Sequence, residues 1–379
     1  MKIEVDPRTF AEAVLWTAPA LARRPQVPAL AAVRFAVDGP ELTLSAFDYD
    51  TSAQVRVPVK TEDGGVALVP GRLLAEIVKS LPQRPVTVET TESRATITCG
   101  SFTFTLPCGM DPGEYPDIPE MPEAAGKLGT DAFATAVAQA VIAAGKDDTL
   151  PALTGVRIEI DGDTLTLIAT DRYRLAVRTV KWAPVKTGLS AQLLVPAGTL
   201  ANTARALTSG AEVSIALSLP GEEGAGGEGM IGFEGAGRQT TTRLLGGDFP
   251  RYAALMPTSI SGTAEVAAAP FAEAVKRVAL VAERNTAVRL SFTAGEVLLE
   301  AGTGDEATAA ESMEAAYGGD DIAIAFNPQY LLDGLTAIGS DVARIAFTEP
   351  GKPALITGAV EGDGVPDYRY LLMPIRLGG

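Results

Sequence analysis

T-L-T-L-I-A-T-D-R-Y-R-L-A-V, residues 164 to 177, begins as an alternating strand, with Leu165 and Leu167 on one face and Thr164 and Thr166 on the other. It breaks at Thr170-Asp171-Arg172-Tyr173-Arg174 and resumes with Leu175, Ala176 and Val177. Taken alone, a polar break between two apolar runs is a hairpin corner. It does not stand alone, because what flanks it occurs three times along the chain.

Before the corner come a helical run, D-A-F-A-T-A-V-A-Q-A-V, and the strand V-R-I-E-I, which turns at Asp161-Gly162-Asp163. After it comes L-L-V-P-A-G-T-L-A-N-T-A-R-A-L, starting at Leu193. The N-terminal part has the same order. Asp6 caps a helix that starts at Pro7, in which Phe10, Val14 and Leu15 are expected to share a face with Ala11. Strands V-R-F-A-V and E-L-T-L-S-A-F follow around Asp38-Gly39-Pro40, and then A-L-V-P-G-R-L-L-A-E-I-V-K-S-L from Ala67, which aligns with the middle copy without a gap. The third copy opens on P-F-A-E-A-V-K-R-V-A-L and continues through A-I-A-F-N-P-Q-Y-L-L-D-G-L. The copies close on Tyr115-Pro116 with Met121-Pro122, on Phe249-Pro250 with Met256-Pro257, and on Met373-Pro374. A triplicated α+β chain follows, with domains expected at 1–122, 123–257 and 258–379 and two helices among many strands in each.

The 379 residues carry a net charge of −16, which argues against a protein that grips nucleic acid through a basic surface. There is no histidine, so Ser-His-Asp and Cys-His triads and histidine metal sites are excluded, and no metal or cofactor is expected. Cys99 and Cys108 are too few for a zinc site and read as buried packing. No run has signal-peptide or membrane-spanning length, so a cytoplasmic protein with no membrane contact is expected. Gly224 to Gly229 spells G-x-G-x-x-G but precedes a strand and is flanked by glutamates, so it reads as a hairpin loop. Asp147-Asp148, Glu222-Glu223 and Asp320-Asp321 lack calcium-loop spacing and read as solvated loop charge. Arg8, Arg72, Lys79, Arg205, Lys276 and Arg277 fall on the expected helices, with Arg24 close by. They are either ordinary solvated faces or a shared surface toward a polyanion.

Asp171-Arg172-Tyr173-Arg174-Leu175-Ala176, the triplication and the terminal Met373-Pro374-Ile375-Arg376-Leu377 together resemble the bacterial DNA polymerase III beta subunit, the replicative sliding clamp. The likeness spans the whole chain, and R-L-L-A-E-I and A-P-A-L-A-R-R-P resemble its actinobacterial branch. The resemblance implies three similar domains with inner helices and outer antiparallel strands. It implies a head-to-tail homodimeric ring that encircles duplex DNA without reading sequence. A ring holds DNA topologically, so weak contacts suffice and the acidic balance is no obstacle.

The resemblance also implies a hydrophobic groove between the second and third domains for short linear motifs. Its ligands would be the DNA polymerase III alpha subunit, the clamp loader, other polymerases, ligase and mismatch-repair proteins. Matching motif positions assign to the groove Leu153, Thr170, Arg172, Tyr173, Arg174, Leu175, Pro250, Asn327, Tyr330, Pro353, Met373, Pro374, Ile375 and Arg376. Leu175, Met373, Ile375 and Pro250 are expected as apolar walls, and Arg174 and Arg376 as rim donors to a bound peptide. The chain departs from the family at Ala253-Ala254, where an arginine is common, and at Thr149-Leu150-Pro151-Ala152, where some members carry aromatics. A specialised second-copy clamp is therefore an alternative. An enzyme working through Asp171 with Arg172 or Arg174 is a more distant one, since nothing supplies its general base.

Overall fold

The computed structural model describes residues 1–221, 229–282, 287–302, 307–359 and 364–375. Six helices occur among them: α1 Pro7–Thr17, α2 Gly71–Ser80, α3 Thr130–Val141, α4 Ala197–Ala206, α5 Ala268–Val278 and α6 Pro328–Ala337. These are two per repeat, as the sequence implies. Asp6 caps α1 by accepting from Thr9 N at 2.9 Å, and Asn327 caps α6 by accepting from Gln329 and Tyr330. In both, proline fills the first helical position, where no donor is lost. One helical face differs from expectation. Phe10, Ala13, Val14 and Thr17 form the buried stripe of α1, whereas Leu15 is 39% exposed. Spacing of three and four residues keeps a stripe together, and Leu15 falls outside it. No helix among the described residues is long and apolar enough to cross a membrane.

The chain forms two compact units. The first comprises residues 1–134, 182–187 and 198–244, and the second residues 135–181, 188–197 and 245–379. Every strand pairing among the described residues is antiparallel. In the first unit a five-stranded sheet runs Lys60–Asp63, Lys2–Val5, Val86–Thr90, Arg94–Cys99, Phe102–Pro107. Its nine-stranded sheet runs Ala183–Pro184, Ala124–Gly129, Glu212–Ser218, Met230–Gly235, Arg238–Arg243, Thr51–Pro58, Glu41–Phe47, Ala32–Asp38, Gly65–Pro70. In the second unit a nine-stranded sheet runs Ser190–Pro196, Gly155–Asp161, Thr164–Thr170, Arg174–Lys181, Tyr368–Leu372, Ala354–Gly358, Val342–Phe347, Gly262–Ala267, Ala316–Gly318. Its four-stranded sheet runs Ala309–Glu314, Glu296–Ala301, Val288–Thr293, Ile322–Phe326. The strands of the middle repeat are thus divided between the two nine-stranded sheets.

Helices pack on a face of both nine-stranded sheets and of the four-stranded sheet. Phe10 of α1 meets Phe35 at 6.2 Å between ring centroids, and both are fully buried. In the second unit Tyr370 is fully buried against Gly334 of α6, whose backbone comes so close that an added Cβ would stand 2.5 Å from the ring. We expect Gly334→Ala to push α6 off the sheet and cost about 1–3 kcal/mol, as overpacked cores do. A urea melt within a few tenths of a kcal/mol of the parent would refute that close approach. Cys99 and Cys108 are both buried free thiols, donating to backbone carbonyls, in keeping with packing.

Candidate functional site

Residues 171 to 173 form the tip of the hairpin between Thr164–Thr170 and Arg174–Lys181. Asp171 builds that tip. Its Oδ1 accepts from the backbone nitrogens of Tyr173 and Arg174, both at 3.0 Å, and its Oδ2 accepts from Arg174 Nε at 2.9 Å. Thr170, itself buried, donates to the Arg174 carbonyl at 2.7 Å and accepts from Arg172 N. Arg172 is thereby held at φ +78°, a left-handed conformation that costs a non-glycine residue about 1 kcal/mol or more. Tyr173 is left projecting, 56% exposed.

Arg174 and Leu175 point to opposite faces of their strand. Arg174 turns inward and is 7% exposed. Its guanidinium bonds Asp171, reaches Asp333 of α6 at 2.5 Å, and lies over the Tyr330 ring at 4.2 Å. Gln329 steadies Asp333 at 2.8 Å, and Tyr370 donates its hydroxyl to the Tyr330 carbonyl at 2.8 Å. Burial opposes the charge on Arg174, but Tyr370, Asp333 and Asp171 outweigh it and raise its pKa above the ordinary value. The expectation of a rim donor is therefore corrected. Arg174 is committed to the protein's own carboxylates and braces the wall. Asn327 is similarly occupied, as the cap of α6.

On that face the tip borders a cleft of about 440 Å³ lined by Leu150, Leu153, Arg172, Tyr173, Arg174 and Tyr330, among others. A cleft of this size suits one or two side chains of a ligand. On the other face Leu175 packs with Ile168, Val177 and Leu371 beneath half-buried Phe249, Tyr252, Met256 and Leu355. Leu175, at 1% exposure, is a floor and not a wall, which also corrects expectation. The half-buried Pro250 and Pro353 neighbour Phe249 and Ala354 in the chain.

The C-terminal motif meets this tip. Met373 N donates to the Tyr173 carbonyl at 2.8 Å, and Ile375 N to the Ala325 carbonyl at 2.8 Å. Met373 is 40% and Ile375 37% exposed, with Pro374 half-buried between them. Arg376 lies outside the described residues, as does most of the Gly224–Gly229 loop. Ala253 and Ala254 are exposed in a short turn, Tyr252–Leu255. Sequence reasoning assigns none of Asp333, Gln329, Tyr370, Met256, Phe249 and Leu355 to the site, although Phe249 and Met256 stand out as the closing motif of the middle copy. Asp333 is 159 residues from Arg174, and no local pattern links the two.

The first unit contains a repeat-related corner. Asp48 Oδ1 accepts from Asp50 N and Thr51 N, Tyr49 takes φ +76°, and Arg243 N donates to the Asp50 carbonyl. Thr51 stands where the second unit has Arg174, so the buried ionic brace is absent there. The turn is repeated, but its chemistry is not.

Of the cationic residues, Arg8, Arg24, Arg72 and Arg205 have no carboxylate partner among the described residues. Arg8 donates to Gln83, Arg72 to the carbonyls of Ala22 and Arg23, and Arg205 to Ala201 and Asn202. Lys79, Lys276 and Arg277 pair with Glu76, Glu273 and Glu311, which neutralises much of what they offer a polyanion.

The DNA polymerase III beta subunit models match in three pieces: N-terminal domain at residues 1–119, central domain at 127–251, C-terminal domain at 253–376. The chain belongs to the DNA polymerase III beta subunit family. It is a DNA sliding clamp of three clamp domains. It is 55% identical, over 100% of both chains, to the beta sliding clamp of Streptomyces coelicolor, so the actinobacterial likeness holds. Identity to GriR of Streptomyces muensis, a beta sliding clamp homolog, is 41% over 99% of both chains, and the second-copy reading is not favoured. Among solved structures, the Bacillus subtilis clamp superposes with a TM-score of 0.88 at 25% identity. A Pseudomonas aeruginosa clamp bound to griselimycin superposes with 0.87 at 26%, each comparison covering 100% of both chains.

Proposed function

We propose that this clamp captures short linear motifs of its partners at the Asp171–Arg174 corner, and that it does so as a closed homodimer around duplex DNA. The observation that carries the first part is the hydrogen bond from Met373 to Tyr173, which joins two motifs 200 residues apart into one surface. The cleft of Leu150, Leu153 and Tyr330 lies on one side of that junction and the apolar cluster around Leu175 on the other, with Tyr173 and Met373 exposed at the junction itself. A peptide with two apolar anchors fits such a surface, and methionine adapts to varied partners. Partners reading this groove would be the alpha subunit of the polymerase, the clamp loader, and ligase, repair and other polymerase proteins. The chain's own role is tethering, with no catalysis.

A labelled apolar peptide of Q-x-x-L-x-L-F type is expected to bind at micromolar concentration in fluorescence polarisation. Met373→Ala should weaken it by about 1–3 kcal/mol. Met373 is the better test than Leu175, because truncating a buried Leu175 would also loosen the core beneath. Unchanged affinity in the Met373 variant would remove the junction from the site.

The second part rests on the sheets. Each nine-stranded sheet is five strands of one repeat joined to four of another, at Arg238–Arg243 with Thr51–Pro58 and at Tyr368–Leu372 with Arg174–Lys181. The five-stranded and four-stranded sheets end on the corresponding strands, Phe102–Pro107 and Ala309–Glu314, both unpaired. An open edge invites pairing with another chain. The third seam would then form twice between two chains, head to tail, placing Phe102 opposite Glu311 by the register of the other two. The domain boundaries 1–122, 123–257 and 258–379 follow these repeats. DNA inside such a ring would meet Arg8, Arg24, Arg72 and Arg205 first, with Lys79, Lys276 and Arg277 weakened by their carboxylate partners.

A further inference from the structure

Along the same sheet face, beyond the apolar cluster, the surface becomes cationic. Residues two apart on a strand share a face, so Arg369 stands next to Leu371, about 7 Å along the strand. Directly opposite Arg369 is Val177, a member of that cluster. Opposite Ile168, another member, is Arg157.

Four polar groups meet there: Arg157, Glu159, Tyr252 and Arg369. Both oxygens of Glu159 are engaged, one by an ion pair with Arg157 at 2.8 Å that is not aligned as a hydrogen bond and one by the Tyr252 hydroxyl, which donates at 2.8 Å. Burial and the Glu159 carboxylate push the Tyr252 phenol up to about 12, with Arg157 and Arg369 opposing, which places both cations within electrostatic reach of it. One carboxylate thus faces two guanidinium groups. The Arg369 side chain has no hydrogen bond or ion pair among the described residues, and its Nε is buried without a partner. Asp367, the next residue on that face, is exposed and makes no ion pair with it. A half-buried arginine beside an apolar floor, with its neighbouring carboxylate already saturated, lacks one anion.

We propose that Arg369 is a specificity residue of the groove, pairing with an acidic side chain that lies about two residues from the apolar anchor of the bound peptide. This rests on the groove reading above. The two-residue separation reflects the spacing of Arg369 and Leu371, since an extended peptide rises at the same rate as a strand. The charge of the chain as a whole, −16, works against acidic ligands in general, so a local cation would select for position and not merely for charge.

The test uses the full-length protein and fluorescence polarisation. Peptides of the Q-x-x-L-x-L-F type carry either Asp or Asn at one flank of the anchor, in versions for each flank. The intact protein is expected to prefer one Asp peptide over its Asn twin by about tenfold or more, as for a charge-assisted bond. Arg369→Gln should abolish the preference, so that the Asp and Asn peptides bind that variant equally, and Arg369→Lys should restore part of it. Equal binding of Asp and Asn peptides to the intact protein, or a preference that survives in Arg369→Gln, overturns the assignment of Arg369. If no peptide binds the intact protein, the groove reading falls and this one with it, so the two failures are told apart.

Discussion

Phe102→Asp is expected to turn a particle of about twice 39.2 kDa into a single 39.2 kDa chain in sedimentation equilibrium at micromolar concentration. Phe102 is a large apolar side chain, 53% exposed, on a strand with no neighbour on its outer side. The two internal seams fix the expected register. Arg238 lies opposite Val55 in one, and Tyr368 opposite Arg178 in the other. Carried onto Phe102–Pro107 and Ala309–Glu314, both place Phe102 opposite Glu311. Aspartate there removes the aromatic burial and sets two like charges face to face, each of them destabilising. A central aromatic contact is worth about 2–4 kcal/mol, and a two-chain ring contains the seam twice. The dimer should therefore weaken by on the order of a thousandfold or more. Glu311 is itself held by Arg277 of α5, and Leu280, in the turn that follows α5, is 84% exposed. Phe102→Leu keeps an apolar edge and should remain dimeric. A Phe102→Asp protein that still sediments as a dimer would mean that the chains join elsewhere.

Arg174→Ala is expected to destabilise the second unit by about 3 kcal/mol, near the lower end for removing one partner from a buried ionic cluster. The side chains of Arg174 and Asp171 are 6% and 13% exposed, whereas that of Asp333 is 27% exposed, so water relieves part of the orphaned charge. The substitution also uncovers the Tyr330 ring and removes one of the bonds that shape the tip. Arg174→Lys keeps the charge but cannot bond Asp171 and Asp333 as a planar fork, and should recover only part of the loss. Peptide affinity should fall along with stability, because Arg174 lines the cleft and helps shape the tip beside it. Denaturant unfolding followed by fluorescence of the labelled groove would measure the change. A loss below about 1 kcal/mol would show the cluster to be no stronger than a surface ion pair.

The site was legible where it is local. The Asp171 turn, the hairpin around it and the proline-started helices follow from residues within a few positions of one another. The triplication also made the outline of the fold readable, since each copy repeats the same order of helices and strands. The direction of Arg174 was not legible. A strand's alternation says only that it lies opposite Leu175, and an arginine next to a loop reads naturally as a solvent-facing donor. That it turns inward depends on Asp333 and Tyr330, which reach it only when α6 packs on the sheet. Leu175 likewise reads as a wall in the sequence, because its burial depends on Leu371 and on the segment from Phe249 to Met256, all distant along the chain.

By itself the sequence determined the repeats, the strand and helix periods, the turn chemistry and the exclusion of histidine-based catalysis, because each rests on spacing along the chain. Only the tertiary structure decided which charges are spent internally, which apolar residues become floor, and that Met373 bonds to Tyr173. It also decided that the middle repeat gives strands to both nine-stranded sheets, leaving the strands equivalent to those seams, Phe102–Pro107 and Ala309–Glu314, at sheet edges. Those outcomes depend on which partner fills a given volume or bonds a given backbone edge. That choice is made by packing between segments more than a hundred residues apart, where periodicity carries no information.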